Sequence, residues 1–283
     1  MYISVIPFSR SQSRYASTYF VGPEWRESIT VGGLVEVPLG SALVEWLITQ
    51  RDIFIPHHMR HEDMKPIVRV ISSLALISEE MISMIEGITM RYFFLIHKVI
   101  WLFLPTPLLT RLDKKNYVLS SSPDSEDKVY PPVHEIHHFV DHIFSPKDVL
   151  SYLDDGTVFI FPDDIFLSLF SAAYGDADIS ILPNDATSTR RAQAWIDIYE
   201  KKHDIIFWTR RILYYNLARY RRIIYIEDAF ALEQYSYPTT LKNLDILRAF
   251  SESHQHDIII VSSTPTLNLL SLFSDFSLIS IHS

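Results

Sequence analysis

The spacing of hydrophobic positions changes three times along the chain. Up to about residue 56, apolar residues alternate with polar ones or form short runs: MYISVIPF, ASTYFV, GGLVEVPLG and ALVEWLIT. Period two is the signature of a half-buried strand, and Gly32-Gly33 and Pro38-Leu39-Gly40 supply turns. The polar segment 56–63, PHHMRHED, reads as a connector, with His57, His58 and His61 solvated. From 65 to 109 the spacing becomes helical. Ile67, Val70, Ile71 and Leu74 share one helix face. Ser78 followed by Glu79 and Glu80 predicts a second helix start, and Met81, Ile82, Met84, Ile85 and Ile88 predict its buried side. The run 92–105, YFFLIHKVIWLFLP, predicts a buried third helix that stops at the prolines of LPTPLL. It is too short, with His97 and Lys98 inside it, to cross a bilayer.

Residues 119–130, LSSSPDSEDKVY, have no apolar period and read as a linker. Beyond it, short apolar runs alternate with helical stretches. The runs are TVFIF (157–161), DISIL (178–182), DIIFW (204–208), IIYIE (223–227), DIIIV (257–261) and SLISI (277–281). Between them lie RRAQAWIDIYEKK and LKNLDILRAF. This is the pattern of a parallel sheet with crossover helices. The expected fold is a multidomain α/β protein: a small N-terminal β domain over 1–60, a winged-helix module over 61–118, the linker, and one parallel α/β lobe over 131–283.

Composition narrows the function classes. The 283 residues are 48% hydrophobic and 21% charged, as in a globular protein. The net charge of −9 means that contact with nucleic acid must come from a local patch. The absence of cysteine excludes disulfides, a thiol nucleophile and a cysteine-held zinc, and fits a reducing cytoplasm. The first nine residues lack a basic leader and a small-residue cleavage site, so they read as a strand rather than a signal peptide.

Three constellations carry possible chemistry. In RRIIYIEDAF (221–230) an apolar strand ends in Glu227 and Asp228. In ATP-driven motors such a pair holds magnesium and the attacking water; otherwise the two carboxylates are solvated or cap a turn. A nucleotide site also needs a phosphate loop, whose glycines let backbone N–H groups turn inward. The chain has seven glycines and none between residues 88 and 155. HEIHH (134–138) fits the helical zinc pattern H-E-x-x-H, with His134 and His138 as ligands and Glu135 as base. Adding His142 spreads the ligands too far along one helix to share an ion, so the plainer expectation is a polar helix. Finally, Arg190, Arg191, Lys201, Lys202, Arg210, Arg211, Arg219, Arg221 and Arg222 are interleaved with Trp195, Tyr199, Trp208, Tyr214, Tyr215 and Tyr220. Basic plus aromatic is the composition of a nucleic-acid surface, or else of charged crossover helices over an aromatic core.

These segments, in order, resemble the primosomal protein N-prime family, the PriA-type replication-restart helicases. YFVGPEW…VGGLVEVPLGS is similar to its 3′-end-binding β domain, and KPIVRVISS…MISMIEGITMRYFFLIHKVIWLFLP to its winged helix. FIFPDDIFLS, RRAQAWIDIYEKKHDIIFWTRRILYY, IIYIEDAF and VSSTPTLNLL match successive motifs of its first, RecA-like motor lobe. The resemblance implies a cytoplasmic protein, off the membrane, acting on forked or single-stranded DNA with other replication-restart proteins. It places Thr209-Arg210-Arg211 on the DNA-facing side of the lobe. It makes Glu227, Asp228, Ser263 and Thr264 degenerate motor positions. In the β domain it aligns Thr18 and Tyr19 with the pocket for the 3′ base, where Tyr19 would stack, with Arg14 and Arg26 near the phosphates. ATP and magnesium serve the family. Here the glycine-free segment 134–149 stands where the phosphate loop belongs, and the second motor lobe, its arginine finger and the zinc modules are not found. The expectation is therefore a pseudoenzyme: a helicase-derived DNA-binding or adaptor protein that uses no cofactor. Its rivals are a protein-interaction scaffold without DNA contact, an ATPase completed by a partner chain, and a zinc hydrolase built on His134 and His138.

Overall fold

The computed structural model describes residues 1–7, 16–55, 60–104, 106–115, 119, 131–140, 145–175, 179–182, 186–227, 242–253 and 256–282. The chain divides into two compact units, Met1–Ser121 and Ser122–Ser283. Arg14, the histidine pair at 57 and 58, His142, Asp228 and nearly all of the linker 119–130 lie outside the described residues.

The first unit is an antiparallel sheet of β1 (Tyr2–Pro7), β2 (Ser17–Phe20), β3 (Leu34–Leu39), β4 (Ala42–Arg51) and β5 (Arg69–Ser72). Their order is β2-β1-β4-β3-β5. The four N-terminal runs read from alternation are β1 to β4. Their inward residues Ile3, Val5, Val35, Val37, Trp46 and Ile48 form one core with Val21 and Ile29. Gly32 adopts φ +83°, and a Cβ there would lie 1.8 Å from the Ile77 carbonyl oxygen, so only glycine fits. The helix expected around 67–74 is instead strand β5, paired with β3. Val70 and Ile71 are β-branched and suit a strand, and the sheet edge outcompetes a helical spacing carried by four residues.

Helix α1 (Glu79–Tyr92) starts where its cap predicts, with Ser78 Oγ accepting from the Met81 N–H at 3.2 Å. Its buried side is Met81, Ile82, Met84, Ile85 and Ile88. The apolar run 92–105 is not one helix. The backbone breaks at Phe93, φ 54°, and restarts as α2 (Ile96–Phe103). The prolines do not end the helical region either: α3 (Thr106–Lys115) holds Pro107 in its first turn, where a missing N–H costs nothing. With 69–72 a strand, the three helices are α1 to α3, later in the chain than the winged-helix reading placed them. No helix among the described residues is long and apolar enough to cross a membrane.

The second unit is a seven-stranded parallel sheet with helices in the crossovers. In chain order it runs β6 (His134–Phe139), α4 (Pro146–Leu150), β7 (Thr157–Phe161), α5 (Asp164–Tyr174), β8 (Ile179–Leu182), α6 (Ser188–Tyr199), β9 (Ile205–Thr209), β10 (Arg222–Ile226), α7 (Asn243–Ser253), β11 (Asp257–Ser262), α8 (Leu267–Leu272) and β12 (Ser277–Ile281). The strand order is β12-β6-β11-β10-β7-β9-β8. Central strands read as unbroken apolar runs because both faces are covered; all five residues of β7 are buried. Phe159, Phe161, Phe170 and Phe207 pack ring to ring, with centroids 5.0 to 5.4 Å apart. The segment 134–139, expected as a polar helix, is a strand between β11 and β12.

Candidate nucleic-acid interface

In a parallel sheet every strand ends on the same edge, and ligands gather in the crevice beyond the carboxyl ends where the chain order reverses. Here the reversal falls between β7 and β10. From β7 the chain goes on to β8 and β9 on one side; from β10 it goes to β11 and β12 on the other. Glu227 follows β10 at this edge. It is not solvated: its side chain is buried, and its backbone N–H donates to the Val261 carbonyl at 2.9 Å. The Thr266 hydroxyl donates to Oε1 at 2.9 Å. Burial pushes the Glu227 carboxyl above its ordinary range, against the opposing pull of Thr266, Ser262 and the Arg210 guanidinium. Arg210, just past β9, is buried too, with its guanidinium carbon 5.9 Å from the centre of the Tyr225 ring. Among the described residues Oε2 of Glu227 and Nε of Arg210 have no hydrogen-bond partner. Thr209 is buried as the last residue of β9. Ser263 and the exposed Thr264 form the turn after β11, where the Thr264 N–H donates to Ser262 Oγ at 3.2 Å.

The basic stretch 190–222 does not form one surface. Thr187 caps α6 by accepting from the Arg190 N–H at 3.3 Å, and α6 begins beyond the carboxyl end of β8. Arg190 is exposed and Arg191 half-buried in that first turn. Arg211 is exposed in the 3-10 turn Arg210–Tyr214 that follows β9. Burial pushes the Tyr215 hydroxyl up to about 12, and the charges of Arg191 and Arg211 both pull against it. Arg190, Arg191 and Arg211 are thus gathered at the carboxyl edge.

Arg221 and Arg222 lie at the opposite edge, at the start of β10. Five residues at about 3.3 Å each put them roughly 16 Å from the carboxyl edge. They are also neutralised there. Arg221 pairs with Asp257 at 3.4 Å, and Arg222 with Asp257 and Asp154, each at 3.7 Å. Lys202 sits between Asp197 and Glu200, each at 2.9 Å, and Lys201 lies 3.5 Å from Asp204. Four-residue patches drawn across both edges, such as Arg210 and Arg211 with Arg221 and Arg222, are therefore not contiguous. The interleaved aromatics are core: Trp195, Tyr199, Trp208, Tyr214, Tyr215 and Tyr220 are all buried.

In the first unit Tyr19 is also a core residue. It is 5% exposed, its hydroxyl donates to the Pro38 carbonyl at 3.1 Å, and its ring meets Trp46 edge-on at 5.9 Å. A ring so held cannot stack on a base. Arg26 is exposed on the 3-10 turn Pro23–Ser28.

The zinc pattern dissolves in the strand. Residues four apart in a strand are separated by about 13 Å, so His134 and His138 cannot share an ion. His134 instead stacks on Phe276 at 4.7 Å, and its Nε2 lies 3.2 Å from the His256 carbonyl. Among the described residues no cluster of three or more His, Asp or Glu could hold a metal. Strand alternation pairs Glu135 with His137, which helical reasoning missed. His137 Nε2 is 2.7 Å from Glu135 Oε2, and its Nδ1 bonds the Tyr152 hydroxyl. Burial, then Glu135 and Asp148, push Tyr152 up to about 12.

Helix α4 follows β6, in the segment where the resemblance expects a phosphate loop. The Asp148 carboxylate in the first turn of α4 already accepts from the N–H and the hydroxyl of Ser145, both at 2.7 Å. Residues 141–144 lie outside the described residues.

Comparison with known proteins gives one family match: residues 8–105 fit the PriA 3′DNA-binding domain (3′BD). No curated protein matches the chain. Among solved structures it is similar to the Hef helicase domain of Pyrococcus furiosus, at 11% identity and TM-score 0.38, over 54% of this chain and 35% of that one. It is also similar to the C-terminal domain of the DEAD-box protein Dbp5, at 12% identity and TM-score 0.36, over 54% of this chain and 91% of that one. A second structure of that domain, from S. cerevisiae and bound to Gle1 and IP6, matches at 11% and TM-score 0.36, over 53% and 90%. The chain thus spans about a third of the Hef helicase domain.

Proposed function

We propose that this chain is a DNA-binding protein of replication restart, since residues 8–105 match the PriA 3′DNA-binding domain model. It acts in the cytoplasm on forked or single-stranded DNA, with other restart proteins. The family match carries the reading. Its second support is the cationic cluster Arg190, Arg191 and Arg211 at the carboxyl edge of a sheet read as a RecA-like lobe. A chain of net charge −9 needs such a local patch to hold a phosphate backbone.

The lobe works without hydrolysing nucleotide. No glycine lies between residues 88 and 155, so backbone amides after β6 cannot wrap a triphosphate. The carboxylate of Asp148, in the first turn of α4 after β6, adds negative charge that disfavours a phosphate there. Glu227 is buried and accepts from the Thr266 hydroxyl, a setting that favours a structural role over holding magnesium.

The test is a salt titration of forked-DNA affinity. Changing Arg190, Arg191 and Arg211 together to alanine is expected to cut affinity about ten-fold or more at low salt and to flatten the logarithmic salt slope by about 2 to 3. Changing Arg221 and Arg222, which are already paired, is expected to leave the slope alone. Wild-type protein with no salt-dependent binding would defeat the reading. That result would favour a protein-interaction scaffold, for which the net charge and the neutralised amino edge speak.

A further inference from the structure

Helix α1 ends on Phe93, whose backbone is left-handed at φ 54°. That conformation is costly for a bulky L residue, and helices usually place glycine there. Helix α5 of this same chain does so, ending on Gly175 at φ 69°. The turn lets the Phe93 N–H donate to the Thr89 carbonyl and close the helix, but the side chain gains no packing for the cost, being 94% exposed. Met90, one turn earlier, is 77% exposed. Tyr92 and Phe94 stack on each other beside it, with centroids 6.0 Å apart and planes 18° apart. Arg91 and Lys98, both exposed, lie two and five residues from Phe93 along the chain. A left-handed, solvent-facing aromatic is a combination that folding alone disfavours, and strain of this kind concentrates where a residue does something else.

We infer that Phe93 is a base-stacking residue for single-stranded DNA, with Met90 as the apolar floor beside it and Arg91 and Lys98 near the backbone. The inference rests on the DNA-binding reading above, since Phe93 lies within the matched residues 8–105. It also fills a gap in that reading: Tyr19, the aromatic expected to stack, is locked in the core. Aromatic side chains that contact single strands need an open face and little sequence preference, because every base has a π surface.

The experiment uses the full chain, a single-stranded oligonucleotide carrying 2-aminopurine, and a matching oligonucleotide of abasic sites. Wild-type protein quenches the base fluorescence. Phe93→Ala is expected to weaken the base-bearing strand by roughly ten-fold or more while leaving the abasic strand unchanged, and Phe93→Trp retains binding and quenching. Phe93→Gly supplies the readout that a packing role would not give: it relieves the left-handed strain, so its melting temperature rises by a few degrees while stacking is lost. If wild type binds and all three variants bind equally, the inference falls and the DNA-binding reading stands. If Phe93→Ala weakens both strands alike, the residue supports fold or backbone contact and not stacking. If wild type binds neither strand, the DNA-binding reading fails and the inference with it.

Discussion

At Glu227 burial and charge pull against each other, and the consequence is a stability that depends on pH. A carboxyl whose folded pKa is raised binds its proton more tightly in the folded state than in the unfolded one. Its contribution is present below the unfolded value of 4.5 and is lost as pH rises through the folded value. Glu227→Gln keeps an oxygen for the Thr266 hydroxyl and removes the charge. The variant is therefore expected to melt higher than wild type at pH 7 and alike at pH 4, as thermal denaturation at the two values will show. A lower melting point at pH 7 would mean that attraction to Arg210 outweighs burial. None of this was legible in IIYIEDAF. The residues announce a strand ending in carboxylates, but burial of Glu227 depends on Val261 and Thr266, contributed more than thirty positions later. The same holds for Tyr19, whose alternation was read correctly while its choice of face went to the core.

Elements were legible where one force dominates. Strands β7, β9, β10 and β11 are apolar runs because neighbours cover both faces, and α1 carries its own start signal in Ser78. Ser78→Ala is expected to cost about 1 kcal/mol, measurable by urea denaturation, because the Met81 N–H would lose its acceptor. Phe161→Ala, in the middle of the aromatic cluster, is expected to cost about 3 to 5 kcal/mol. Strand β6 was not legible. Its sequence HEIHHF is too polar for a run, and its spacing of histidines mimics a helical metal motif. What makes it a strand is the pairing offered by β11 and β12, which local sequence does not announce. Strand β5 failed for the mirror reason: a short stretch can satisfy both periods, and the edge of an existing sheet decided between them.

At the scale of the whole molecule, the lesson is that a stretch of sequence can be basic without making a basic surface. Residues 190–222 cross the sheet from one edge to the other, and its carboxylates discharge one end only. Titration of ATP and magnesium into the protein by calorimetry is expected to give no binding heat at millimolar nucleotide, in keeping with the glycine-free stretch that follows β6. Saturable heat would restore the reading of an ATPase completed by a partner chain. The architecture also sets the order in which the second unit can assemble. Strand β6 is its first strand in the chain, yet it is flanked by β11 and β12, its last two. During synthesis it must wait, both sides unsatisfied, while more than a hundred further residues emerge from the ribosome. A strand left waiting so long is better made of histidine and glutamate than of valine and isoleucine. The polarity that disguises β6 also lowers the tendency of an unpaired strand to clump.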